Sequence, residues 1–141
     1  MSRSFVQMLA ELRELVLRMG AHSEAILRKS LRALREKNVA LAVEVKQDDL
    51  EIDRLDLAID KAVLNALALQ APVAADLRTI LAIKMIAHEL ERIGDLSRNI
   101  AKSAIRIAER PEVVMSDRLD DLSAKSQEVL RHALDAFSHN D

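Results

Sequence analysis

Two prolines and two glycines are all that interrupt 141 residues, and that scarcity confines the chain to long helices. Strand hairpins and tight turns need residues that accept left-handed backbone or a fixed φ, and such residues are nearly missing. Ala, Leu, Ile, Glu, Arg and Lys dominate instead, a helix-forming composition. The expected fold class is all-α.

Apolar spacing divides the chain into four helices. The first runs from about Ser4 to Lys37, with Phe5, Met8, Leu12, Leu15, Met19, His22, Ile26, Leu31 and Leu34 recurring at threes and fours. The pattern slips once, near Gly20. Asn38 is the expected break, since Asn both ends helices and caps new ones. The second helix extends from Val39 to about Leu69, and Pro72 closes it in a short turn spanning Gln70 to Ala74. The third runs from about Ala75 to Glu109 and stops before Pro111. The fourth spans Asp117 to Ser138, capped by Ser116 or Asp117. Helices of roughly 30 residues are each about 45 Å long. Short turns make neighbours antiparallel, so the expectation is an elongated up-down bundle of one domain or slightly more.

Charge and composition exclude several functions. A formal charge of -2 and only two aromatic residues, Phe5 and Phe137, give no basis for nucleic-acid binding. Without cysteine there is no sign of an oxidising compartment. No apolar run is long enough to span a membrane, and the N-terminus has no signal-peptide core. A cytoplasmic protein, peripheral to a membrane at most, is the default.

An acidic stripe is the candidate site. At 100° per residue, Asp49, Asp53, Asp56 and Asp60 fall within an arc of about 60° on the second helix. Ile52, Leu55, Ile59 and Val63 flank them on one side, and Leu50, Leu57 and Leu64 on the other. Acids that merely face water would not need apolar flanks on both sides. Glu91 and Asp95 share a face of the third helix with His88 and Asn99, and Lys84 and Lys102 lie on that face too. In an antiparallel hairpin turning at Ala71-Pro72, facing residues have numbers that sum to about 144. Asp49 then faces Asp95, Asp53 faces Glu91, and Asp56 faces His88.

Four carboxylates at one level repel unless they are protonated, solvated or bridged by a cation. Oxygen donors suit Mg²⁺, Mn²⁺, Ca²⁺ or iron more than a thiolate-type structural zinc site, with carboxylate-held Zn²⁺ completing the candidates. Asp49, Asp53, Asp56, Glu91 and Asp95 are the expected ligands. His88 stays outside that set, because a histidine beside a core is more often structural. The competing reading pairs these acids with Lys or Arg along the helix, each pair contributing only a few tenths of a kcal/mol.

An internal echo also appears. Ile26-Leu27-Arg28 is matched by Val129-Leu130-Arg131, and Leu31 to Leu34 by Leu134 to Phe137, both at an offset of 103. The fourth helix thus reads as the start of a second unit after Pro111, with residues 1–110 forming the first unit and 111–141 a linker and helix. Its apolar stripe (Leu119, Leu122, Val129, Leu130, Leu134, Phe137) should pack onto the first three helices or onto another chain.

The stretch from Gln70 to Arg78, QAPVAADLR, and the run Glu91-Arg92-Ile93-Gly94-Asp95 followed by Asn99-Ile100 resemble the PhoU family of phosphate-signalling regulators. Asp49 through Asp56 is similar to that family's acidic motif on the preceding helix, and the likeness covers residues 1 to about 110. The resemblance implies two tandem three-helix units, with acidic motifs that bind metal at Asp49, Asp53, Glu91 and Asp95, and Asp56 as an addition. It implies a negative regulator of the phosphate-starvation response, linking a phosphate ABC transporter's ATPase subunit to a sensor histidine kinase. Separately, a homo-oligomer, as a dimer, is the expected assembly. Against that pattern most of the second unit is missing, as in a truncated or short relative. A carboxylate-bridged di-metal enzyme is disfavoured, because no Glu-x-x-His pair occurs. No Ser-His or Cys-His constellation stands out either. A purely structural bundle remains, and it would leave Asp49, Asp53 and Asp56 in water.

Overall fold

A computed structural model describes residues 4–139, with the Gln70 side chain left aside. The outermost ends of the two expected units, residues 1–3 and 140–141, lie outside the described residues. The described chain is all-α. Helix α1 spans Phe5–Glu36, α2 Val39–Gln70, α3 Ala74–Ala108 and α4 Asp117–Ser138. The up-down order is the one expected, with each boundary within about two residues.

The boundaries follow from local chemistry. Ser4 caps α1 in a reciprocal capping box with Gln7. Lys37 then adopts a left-handed backbone at φ 53°, and Asn38 accepts the Leu41 N–H at 3.0 Å to start α2. The second turn uses Ala71 at φ 40°, followed by Pro72 and Val73. Ser116, the expected cap, opens α4 by accepting the Arg118 N–H at 3.1 Å.

Helices α1, α2 and α3 pack against one another around a core of Leu12, Val16, Met19, Ile26, Val45, Ile52, Ile59, Ile80 and Ile83. Small residues are buried on both α1 and α3, with Ser23 reaching the Leu90 carbonyl across the contact between them. Gly20, Ser23, Ser30 and Ala33 are buried on α1, and Ala87, Gly94, Ser97, Ala101 and Ala104 on α3. The buried hydroxyls bond back into their own helices, Ser23 to the Met19 carbonyl and Ser97 to that of Ile93, so none is left unpaired.

Two expectations are corrected here. His22 is exposed, and Ser23 and Ser30 hold the buried face, because α1 is turned toward its small residues to let α3 approach. Leu50, Leu57 and Leu64 are also exposed, Leu57 by 68%. The acidic stripe therefore borders the core on one side only.

Helix α4 packs antiparallel on α1 and on no other helix among the described residues. Leu130 and Leu134 are buried, with Leu134 against Gly20, and Arg131 pairs with Glu24 at 3.1 Å. Arg13 donates to the Phe137 carbonyl at 2.7 Å and lies 4.6 Å above that ring. The echo at offset 103 reappears in this contact. Gly20 meets Leu134, while their counterparts Ser123 and Leu31 line one crevice. Glu24 meets Arg131, while Gln127 and Arg28 line another. The two helices are thus related by an approximate local two-fold axis near Ile26. Leu122 and Val129 stay exposed, so α1 covers only part of the α4 stripe.

Candidate functional site

The hairpin of α2 and α3 sets the acids in register, and two cations hold the ends of the acidic stripe. Toward the open end, Arg98 places Nη1 3.0 Å from Asp49 Oδ2 and 3.8 Å from Asp95 Oδ1. Toward the turn, Lys84 pairs with Asp60 and stands 3.9 Å from Asp56 Oδ1. Between these pins lie Asp53 and Glu91, which make no ion pair among the described residues.

Asp49 is the buried member, only 2% exposed. Its Oδ1 has no hydrogen-bond partner, and its carboxyl is pushed up by burial, then drawn back by the Arg98 hydrogen bond. Gly94 makes its position available. A Cβ at Gly94 would stand 2.6 Å from Asp49 Oδ1 and 3.3 Å from Ile52 Cδ1. The glycine of the Glu-Arg-Ile-Gly-Asp run thus admits a carboxylate from the facing helix.

Glu91 sits in a negative field. Desolvation raises its carboxyl first, and the charge of Asp95, a hydrogen bond with Asp95, and the charges of Asp56 and Asp53 add to that. Asp56 is raised by burial too, opposed by Lys84 and reinforced by Asp60. Asp95 is 49% exposed on its side chain, and Asp53 and Glu91 are half-buried. Asp53, Asp56, Glu91 and Asp95 therefore share one accessible face, with Asp49 beneath it. His88 is exposed, close enough for its charge to act on Asp56.

A hard cation is the group these donors suggest. All are carboxylate oxygens, the Asp56 Oδ1 atom has no hydrogen-bond partner among the described residues, and Asp53 and Glu91 lack a counter-charge there. The donor chemistry fits. Among the described residues, no three such side chains already converge closely enough to hold an ion, so binding would draw the exposed carboxylates inward.

Arg98 was missed by sequence reasoning, although a signal existed. It stands three residues after Asp95 and seven after Glu91, which places it on their helix face. Arg92, by contrast, is a surface residue beside Glu89 at 3.7 Å.

The fold and the site define an antiparallel helical bundle with an acidic face on its central hairpin. Residues 16–104 match the PhoU domain family, and the chain belongs to it. It is 35% identical over 133 residues to the phosphate-specific transport system accessory protein PhoU homolog of Aquifex aeolicus (strain VF5), covering 94% of this chain and 60% of that one. The accessory protein PhoU of Escherichia coli (strain K12) is 30% identical over 140 residues, covering 99% and 58%. The crystal structure of PhoU from Pseudomonas aeruginosa superposes with a TM-score of 0.94 at 31% identity, covering 98% of this chain and 66% of that one. The chain thus spans about 60% of the length of the curated relatives it matches. No described helix is long and apolar enough to cross a membrane.

Proposed function

We propose that this chain is a regulator in phosphate signalling and transport, acting as a non-enzymatic, metal-binding helical adaptor in the cytoplasm. The observation that carries this reading is the unpaired couple Asp53 and Glu91, set between the two cation-held ends of the acidic stripe in a PhoU-family fold. A divalent or trivalent cation there would be held by Asp53, Asp56, Glu91 and Asp95. Asp49 would act from below, holding Arg98 against Asp95. Such an ion would neutralise the face and fix one hairpin geometry for a partner to read. Partners of the expected kind are a phosphate transporter's ATPase subunit and a sensor histidine kinase. Relatives named as accessory proteins of the phosphate-specific transport system support that direction.

Two further elements belong to the same reading. Helix α4 opens a second unit, supported by the local two-fold contact with α1. The chain also self-associates as a dimer, supported by an apolar groove of about 660 Å³ running beside Leu96 of α3 and Leu122 and Val129 of α4. Light scattering should then give about twice the 15.8 kDa chain mass, falling to one chain with Leu96→Lys plus Val129→Lys. A monomeric parent chain would remove the dimer.

The regulatory part is tested by complementation. In cells lacking their phosphate accessory protein, the chain should restore repression of phosphate-starvation genes. A folded Asp53→Asn plus Glu91→Gln variant should not. No repression by the parent chain, or full repression by the variant, would contradict the adaptor reading.

A purely structural bundle is the second reading. It expects Asp49 in water, and the burial of Asp49 against Arg98 speaks against it.

A further inference from the structure

Beyond the carboxylate face, toward the open end of the hairpin, α2 and α3 enclose a crevice of about 350 Å³. Its floor is apolar, formed by Ala42, Ala101 and Ile105, and its rim carries Lys46, Arg98 and Lys102. Ala42 and Ala101 are buried, while both lysines are exposed.

The charges on this rim are not compensated. Lys46 and Lys102 make no ion pair among the described residues. Arg98 engages Asp49 and Asp95 through Nη1 alone, so its remaining N–H groups have no protein acceptor among the described residues. Two free ammonium groups and a partly free guanidinium surround an apolar floor. Guanidinium forks recognise phosphate and carboxylate oxygens, and ammonium groups act on them as point charges. Two unpaired positive charges match a dianion. The apolar floor, too large for an oxyanion alone to cover, matches a carbon group attached to it.

We infer that this crevice binds a phosphomonoester dianion carrying a small apolar group. The cation site is not needed for it. The two are also chemically opposite, one face acidic and the other basic, with Arg98 at the boundary.

The test is isothermal titration of the intact chain in excess chelator, so that no metal on the acidic face can recruit the anion. Phenyl phosphate, orthophosphate and uncharged benzyl alcohol are the probes. Phenyl phosphate should saturate one site per chain, with orthophosphate about tenfold weaker and benzyl alcohol not binding. Lys46→Gln plus Lys102→Gln, both at exposed positions, should weaken phenyl phosphate by about tenfold or more, with an unchanged melting temperature showing that the fold is intact. Absence of saturable phenyl phosphate binding would overturn the assignment. So would an affinity untouched by the double substitution, or orthophosphate binding as tightly as phenyl phosphate.

Discussion

Asp49 Oδ1 occupies the space into which a side chain at Gly94 would project, 2.6 Å from the Cβ that Gly94 lacks. A buried carboxylate on α2 and a bare Cα on α3 are thus parts of one arrangement, completed by Arg98 at 3.0 Å. Gly94→Ala gains helix propensity of about 1 kcal/mol but forces Asp49 or Ile52 aside. The expected net is a loss of about 1–2 kcal/mol in urea unfolding. Gly20→Ala meets only the flexible tip of Leu134, and should cost less than Gly94→Ala.

The ion pair itself should respond asymmetrically. Arg98→Met leaves the buried Asp49 carboxylate without its counter-charge, while Asp49→Asn removes the charge that requires one. Breaking a buried pair costs about 3–5 kcal/mol, and the partial exposure of Arg98 reduces that to about 2 kcal/mol here. Asp49→Asn should cost about 1 kcal/mol or less. Urea unfolding at neutral pH measures both. Equal losses would contradict the asymmetry.

Glu91 gives a pH signature. Its carboxyl is raised in the folded state by desolvation and by Asp95, Asp56 and Asp53, so the folded chain holds the proton more tightly than the unfolded chain. Stability therefore falls as pH rises from the unfolded pKa of about 4.3 through the raised folded value. In metal-free buffer, Glu91→Gln should raise the melting temperature at neutral pH and have little effect well below the unfolded pKa. Thermal melts across pH read this directly, and a variant less stable at neutral pH would count against the crowded-acid geometry.

Two left-handed residues offer a paired test. Ala71 at φ 40° carries a Cβ that this conformation disfavours by about 1–2 kcal/mol, so Ala71→Gly should stabilise the chain by up to about 1 kcal/mol. Lys37 at φ 53° has the same strain, but its ammonium donates to the carbonyls of Arg110 and Pro111 at 3.4 and 3.3 Å. Lys37→Gly should therefore gain less than Ala71→Gly in thermal unfolding. The reverse order would contradict this.

Much of the fold was legible because its punctuation is local. Asn38 and Ser116 mark boundaries through side-chain oxygens that accept a backbone N–H, Pro72 and Pro111 through their fixed backbone, and periodicity needed only those anchors. The facing of α1 was less legible, since Ser23 and Ser30 are buried for the close approach they permit, and hydrophobicity does not register that. Likewise Leu50, Leu57 and Leu64 repeat every seven residues like a core seam, yet that seam faces outward. Within the site, the carboxylates were visible as a stripe. Their division into two cation-held ends and an unpaired middle was not, because it depends on where Lys84 and Arg98 reach across the hairpin.

Metal titration of chelator-stripped protein tests the central claim most directly, using Mn²⁺ and Mg²⁺ with the parent chain and with Asp53→Asn plus Glu91→Gln. The expected result is saturable binding to the parent chain that disappears in the variant, while the variant stays folded and melts no lower in metal-free buffer. A parent chain that takes up neither ion, or a variant that binds as well as the parent, would show that the unpaired middle of the hairpin is not a cation site.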